Sequence, residues 1–485
     1  MGSTLSRRQF TLTSLGAATV LQAASPRPNI VFLLPDQLRA QALGCMGNPD
    51  AITPNFDRLA AQGVLLRNTF ANTPVCCPAR AILLTGKYAS ANGMVANDLR
   101  LRESETSLAE ILSQAGYRTG FIGKWHLDGG PRMPGFVPPG PRRQGFEFWA
   151  ANECSHTHFN TQYFRDDPTP IPIRKFEAEA WTDIALDFLD TTKSDRRPFF
   201  LTVQMGPPHD PYKAPPEYRA RFDAQRLTLR PNYEQTPRAP GRDGLAEYYG
   251  MVTAVDDQLG RIMARLDQLG LTENTIFVVS SDHGDMLGSH GERLKRKPWE
   301  ESIHVPGIIR WPAKIKSGQK NDLLFSHVDF APTLLAMCGL RATKGMQGHD
   351  LSGNIVTGSG PAPDSVYLQI FGPYSGDDTP RGWRGVRTAR YTYARFEDRP
   401  WVLFDLDRDP YQQTNLVDDA AAKPVVAEME KKLAAHMKAA SDSWAKNWVH
   451  LVEDAGRLYE GKETFYSVPD YLTWAAKNGV SVPRI

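Results

Sequence analysis

The stretch Asn29-Ile30-Val31-Phe32-Leu33-Leu34-Pro35-Asp36-Gln37 decides the fold. Its apolar run shows no alternation, so it reads as a strand buried on both faces, as at the centre of a parallel sheet. Asp36 and Gln37 follow at once, at the end of the strand where open α/β sheets bind their ligands. Comparable strand-like runs occupy 118–122, 199–203, 275–280 and 305–309. Helix signals lie between them. Thr53 precedes Pro54 at a first helical position with Gly63 beyond the end, and Ser107 with Glu110 has capping-box spacing, closed by Gly116. Strands alternating with helices predict an α/β fold, a large, mostly parallel or mixed sheet sandwiched by helices.

The pattern changes near residue 365. Short aromatic, alternating runs appear at 383–393 and 401–406, and a charged helical stretch covers 423–441. These predict a smaller C-terminal subdomain, an antiparallel sheet with a helix, over 366–485, packed on a main domain over 26–365. Proline- and glycine-rich segments at 131–141 and 207–216 read as long loops over the scaffold.

Composition narrows the function. The formal charge of +2 on 485 residues argues against electrostatic capture of nucleic acid or of an anionic membrane. Ser6-Arg7-Arg8-Gln9-Phe10 precedes a short apolar stretch, 12–24, that ends in small residues. A twin arginine before a mildly hydrophobic segment reads as a bacterial Tat export signal over 1–25, too short for a stable membrane anchor. The expectation is a periplasmic or secreted enzyme with the Tat machinery as a transient partner. Five cysteines, Cys45, Cys76, Cys77, Cys154 and Cys338, form neither a disulfide framework nor a CxxC site.

Reactive side chains recur just past the strand ends. Asp36 and Gln37 follow the first run, Lys124 and His126 the second, His209 and Asp210 the third, and Asp282 and His283 the fourth. One such aspartate is usually a turn residue or helix cap. Four together suggest a hard divalent cation held by oxygen ligands, with cationic groups around an anionic substrate. That much describes a metal-assisted hydrolase without naming the ester.

The segment Pro74-Val75-Cys76-Cys77-Pro78-Ala79-Arg80, running on to Thr85-Gly86-Lys87-Tyr88, resembles the C-x-[PS]-x-R signature of type I sulfatases in the alkaline phosphatase superfamily. The resemblance extends over most of the chain. It includes Gly123-Lys124-Trp125-His126-Leu127, Ser281-Asp282-His283-Gly284-Asp285 and, near the C-terminus, Leu403-Phe404-Asp405-Leu406. It implies a sulfuric ester hydrolase in which a dedicated maturase oxidises Cys76 to formylglycine. One hydroxyl of the formylglycine hydrate would attack sulfur, and loss of the other's proton would then expel sulfate.

Further roles are implied residue by residue. Arg80 would hold the hydrate and balance charge, and His126 would support the nucleophile. His209 would protonate the leaving alcohol, since imidazole titrates near working pH. Lys124 and Lys295 would contact sulfate oxygens; Lys297 is the nearby alternative to the second. Asp36, Gln37, Cys76, Asp282 and His283 would surround the metal, for which calcium is the family expectation and magnesium or manganese the alternatives. Many members carry two aspartates where this chain has Asp36-Gln37, so the site has one negative charge fewer. The His283 nitrogen also suits calcium less well and allows a role behind the ligands.

The export signal favours a sulfated carbohydrate as substrate. Trp149, His156 and His158 are candidates for lining its pocket, or for core and loop roles. Two other readings share this sequence pattern: a phosphonate or phosphate ester hydrolase of the same superfamily, and an inactive carbohydrate-binding relative. Intact Cys76, Arg80, Lys124 and His209 argue against the second.

Overall fold

The computed structural model describes residues 27–129, 134–371, 381–444 and 477. The export segment 1–25 and part of the 131–141 loop lie outside the described residues. The strands of the main domain are β1 (Asn29–Pro35), β2 (Val64–Phe70), β3 (Arg118–Lys124), β4 (Phe148–Asn152), β5 (Thr161–Tyr163), β6 (Ile171–Ile173), β7 (Phe199–Met205), β8 (Thr275–Val279), β9 (Ile308–Arg310) and β10 (Gln319–Ser326). Eight form one sheet in the order β10-β2-β9-β8-β1-β7-β3-β4, while β5 and β6 pair separately.

The unbroken apolar run of β1 has the environment its composition demands. It lies inside the sheet, parallel to both neighbours, with Ile30 opposite Phe200 of β7 and Ile276 of β8. Ile30, Phe32 and Leu34 pack into the core on one face, Val31 and Leu33 into the core on the other. Helices Cys76–Thr85, Leu108–Gln114 and His327–Met337 cover the first face; Pro54–Ala61, Glu177–Asp190 and Gly241–Gln268 cover the second.

Local signals behaved unevenly. Ser107 and Glu110 form the capping box, each side chain accepting the other's backbone N–H at 2.9 Å. Thr53 does not cap its helix; its hydroxyl accepts from Gly44 N at 2.9 Å and donates to Asp57 at 3.3 Å. The strand expected at 305–309 begins later, at Ile308, and β9 runs antiparallel between β2 and β8, so the sheet is mixed. The strands expected at 118–122 and 199–203 continue two residues further in each case, ending at Lys124 and Met205. Strand β10 opens on Gln319-Lys320-Asn321-Asp322, polar residues suited to a sheet edge, and periodicity alone passes over it.

The smaller unit is an antiparallel sheet of β11 (Ser365–Ile370), β12 (Trp383–Thr388), β13 (Tyr391–Arg395) and β14 (Pro400–Asp405), followed by the helix Lys423–Ala439. It is tied to the main domain near the loop that carries Lys295. Trp383 Nε1 donates to Arg296 O at 2.9 Å, and Arg387 pairs with buried Glu300 at 2.8 Å. Among the described residues no helix is long and apolar enough to cross a membrane.

Candidate active site

Strands β8, β1, β7 and β3 are consecutive and parallel, so their carboxyl ends share one edge of the sheet. Asp282 and His283, Asp36 and Gln37, His209, and Lys124 all stand at or just beyond that edge, and all are buried. Gly123 is a steric requirement here. Its φ is +106°, and a Cβ would come within 1.9 Å of Gln204 O on β7, so β3 approaches its neighbour this closely only without a side chain.

Cys76 arrives from a different element. It is the first residue of the helix Cys76–Thr85, and Arg80 lies one turn along the same face. Cys76 Sγ is 3.2 Å from His283 Nε2. The Arg80 guanidinium donates to Asp36 at 3.0 Å, to Asp282 at 2.9 Å, to the Lys124 carbonyl at 3.0 Å and to Gln204. Lys124 Nζ donates to Asp36 Oδ2 at 2.7 Å. Two buried carboxylates and two buried cations are thus interleaved behind the thiol.

On the other side Lys295 Nζ donates to Gln37 Oε1 at 2.6 Å and lies 3.0 Å from His209 Nε2. Lys297, the alternative by sequence, approaches Glu292 at 4.0 Å instead. His209 Nδ1 is 2.5 Å from Asp210 O, and its ring stacks on His156 with centroids 4.3 Å apart. His156 is partly exposed beside the site, with Nε2 3.5 Å from Lys124 Nζ. His158 is buried and bridges Glu177 and the His209 carbonyl. Trp149 packs in the core against Phe121 and Trp125. His126 Nε2 pairs with Asp98 at 3.1 Å.

Two participants had no individual prominence in the sequence. Gln204 is a polar residue near the end of the apolar β7 run, a signal that was available. Asp98 sits in a loop with nothing to mark it, because its proximity to His126 is purely tertiary.

Electrostatics follow from this packing. Burial alone would raise the Cys76 thiol, but Lys295, Lys124 and His283 hold it well below the ordinary thiol range. Burial opposes the Asp36 charge too, yet Lys124 keeps that carboxyl well below its usual value. For Lys124 burial is again outweighed, here by Asp36, and its ammonium is held above the ordinary lysine range. Burial drives His156 well below the ordinary imidazole range, reinforced by His209 and Lys124. Burial raises the Asp285 carboxyl despite hydrogen bonds from Tyr212, Leu287 and Gln37 that favour its anion.

The residues fit a divalent cation. Ligand atoms of Asp36, Cys76, Asp282 and His283 all lie within 4.8 Å of one another, and all four residues are buried. Asp36 Oδ1 has no hydrogen-bond partner, an expensive state for a buried carboxylate oxygen unless a cation meets it. His283 Nδ1 faces Gly284 O at 3.0 Å, which turns Nε2 toward both carboxylates, 3.7 Å from each. The Gln37 carbonyl oxygen, expected beside the metal, is the one that accepts from Lys295.

Known proteins resemble this chain in sequence and fold. The sulfatase family profile matches residues 28–340, and that of the N-sulphoglucosamine sulphohydrolase C-terminal region matches residues 288–439. An ulvan-active sulfatase of Formosa agariphila is 38% identical over 87% of this chain and 84% of its own length. An endo-4-O-sulfatase of Bacteroides thetaiotaomicron is 30% identical over 86% of this chain and 93% of its own. The crystal structure of YidJ from Bacteroides fragilis, assigned as a sulfatase, superposes with a TM-score of 0.80 at 30% identity, covering 87% of this chain and 98% of the other. A phosphonate monoester hydrolase of Agrobacterium radiobacter shares the fold, with a TM-score of 0.70 at 24% identity over 85% of this chain and 96% of its own. With its signature cysteine, its strand-end residues and matches over most of its length, the chain belongs to the sulfatase family and is a sulfuric ester hydrolase.

Proposed function

We propose that the enzyme removes sulfate from a sulfated carbohydrate, with Cys76 converted to formylglycine as the nucleophile. The observation that carries this reading is the seat of Cys76, 3.2 Å from His283 and within the electrostatic reach of Lys124 and Lys295. Cys76 Sγ stands where the oxygens of a formylglycine hydrate would lie. The hydrate supplies two hydroxyls, one to attack sulfur and one to expel sulfate afterwards. Asp36, Asp282, His283 and residue 76 would hold the divalent metal, which would supply Lewis acidity there. Calcium is the expected ion; with Gln37 in place of a second aspartate the site has one negative charge fewer, so magnesium and manganese are the alternatives, and metal analysis of purified protein separates them.

The remaining steps belong to the chain's own side chains. Lys124 and Lys295 would neutralise the sulfate oxygens from two sides. As the S–O bond breaks, the electron pair goes to the alcohol oxygen, which needs a proton. His209 would supply it from Nε2 in its imidazolium form, once Lys295, 3.0 Å from that nitrogen here, has turned to the sulfate; Nδ1 faces a backbone carbonyl and keeps its hydrogen there in either charge state. Arg80 holds Asp36 and Asp282 in place, and His126 supports the nucleophile from its contact with Asp98.

The carbohydrate reading is supported by the sulfatases that the chain resembles and by its N-terminal Arg7-Arg8 pattern, which we read as Tat export to the periplasm or medium. We assign 26–365 to catalysis and 366–485 to a subdomain that buttresses it.

The test is peptide mass spectrometry across Cys76 in protein coexpressed with a formylglycine-generating enzyme. A loss of about 18 Da is expected as thiol becomes aldehyde. An unmodified thiol beside an active maturase would exclude the nucleophile, and preference for a phosphonate monoester over sulfated sugars would exclude the substrate class. A second expectation concerns the leaving group. Replacing His209 by Ala should slow sugar sulfates by about 10²–10⁴-fold while leaving activated aryl sulfates much less affected. Equal losses on both would remove its role as proton donor.

A further inference from the structure

The segment between the Asp282-His283-Gly284 turn and Lys295 is conformationally expensive. Leu287, His290 and Leu294 adopt left-handed φ of +45°, +54° and +65° without being glycine. Such a loop persists only where its surroundings over-determine it. Asp285 is completely buried at its start. Its Oδ1 accepts from Leu287 N and Leu294 N, each at 3.0 Å, which fastens both ends of the loop. Its Oδ2 accepts from Tyr212 Oη at 2.6 Å and from Gln37 Nε2 at 2.5 Å. Tyr212 is part of the loop that carries His209, so one carboxylate joins three segments of the site.

The Gln37 amide has only one workable orientation. A carboxylate can only accept and an ammonium can only donate. With Asp285 on one side and Lys295 on the other, nitrogen must face Asp285 and oxygen must face Lys295, as observed at 2.5 and 2.6 Å; the same nitrogen also reaches Asp210 Oδ1 at 3.4 Å. A carboxylate of the same length at position 37 would set like charge against Asp285.

We propose that Asp285 is a positioning residue for Lys295, acting through the Gln37 amide and the clamped loop, and so sets how the enzyme grips the sulfate group. This rests on reading Lys295 as a sulfate contact. Asp285 itself touches neither substrate nor the reacting atoms.

The test is a double-mutant cycle with Gln37→Glu, Asp285→Asn and the pair together, with inorganic sulfate as the probe and unfolding as a second readout. Gln37→Glu alone sets two carboxylates against each other. Asp285→Asn alone places NH₂ against NH₂, and relief by flipping Gln37 turns its NH₂ on the Lys295 ammonium. In the double variant the carboxylate introduced at position 37 accepts from Lys295 and from the amide introduced at position 285. The oxygen of that amide still accepts from the backbone of Leu287 and Leu294. Net charge is unchanged in the double variant.

Each single change should weaken sulfate inhibition about tenfold or more and raise KM more than it lowers kcat. The double should recover at least half of the loss of the worse single variant on a logarithmic scale, short of the parent because Asp210 still faces the carboxylate at position 37, with the same partial rescue in the unfolding midpoint. Additive losses in sulfate affinity, or single variants that bind sulfate like the parent, overturn the proposal. Rescue in unfolding with sulfate binding unmoved throughout keeps the contact but overturns its effect on Lys295. A parent that binds no sulfate overturns the underlying reading of Lys295, and the unfolding cycle distinguishes that failure from loss of the Gln37–Asp285 contact.

Discussion

Replacing Cys76 by alanine should lower turnover of a sulfated sugar by about 10⁴-fold or more while leaving the fold in place. The side chain is buried at the first position of its helix, and among the described residues no other cysteine is grouped with Asp36, Asp282 and His283. Cys77, next in the chain, is held differently, its sulfur accepting from Asp98 N at 3.3 Å. Burial raises its thiol above the ordinary range, the opposite of Cys76. It cannot substitute. The structural cost should be small, because alanine keeps the helix and removes a single sulfur atom, about 1–2 kcal/mol of packing. Steady-state rates read the first effect, and circular dichroism with a denaturation midpoint reads the second. Activity within tenfold of the parent would mean that the reaction does not pass through residue 76.

Replacing Arg80 by methionine should produce the largest stability loss among the site residues, about 3–5 kcal/mol. Methionine fills a similar apolar volume, so the loss reports charge rather than a cavity. The Arg80 side chain is 1% exposed and pairs with two carboxylates that are themselves fully buried. Its removal leaves Asp36 with Lys124 and the more distant His283 and strips Asp282 of its guanidinium. A loss of that size is a large share of the ~5–15 kcal/mol that holds a typical domain together.

The same variant also tests the metal. A divalent cation that binds the folded chain should offset part of the missing positive charge. The destabilisation should therefore be larger in chelator than in saturating metal, read as the difference between two denaturation curves. Equal losses in both would mean that Asp36 and Asp282 do not hold the ion. Turnover should fall by about 10²-fold or more as the preorganised charges are lost.

The sequence was most legible where local physics acts alone. An unbroken apolar run of this length, bounded by prolines, suits a strand buried on both faces, and β1 is that strand. The capping box at Ser107 closes with groups three residues apart, so no distant partner can overrule it. Most of the site residues could be gathered because a parallel sheet delivers its strand ends to one edge; the cysteine signature supplied Cys76 and Arg80 from a helix, and Lys295 comes from a loop. Thr53 shows the limit: its hydroxyl is taken by Gly44 N, nine residues earlier in the chain, and by the Asp57 side chain rather than by a backbone N–H of the helix it precedes.

What the sequence determined by itself, then, was the α/β scaffold, the edge at which chemistry gathers, and the identity of the candidate nucleophile and its cations. Each depends on composition along one strand or one motif. The tertiary structure alone decided the pairings: that Lys295 rather than Lys297 reaches His209, that Asp98 meets His126, and that Gln37 spans Asp285 and Lys295. It also turned β9 against its neighbours and placed Trp149 in the core. These choices depend on partners that are mostly far apart in the chain. Which donor meets which acceptor is settled only when packing has excluded water from both.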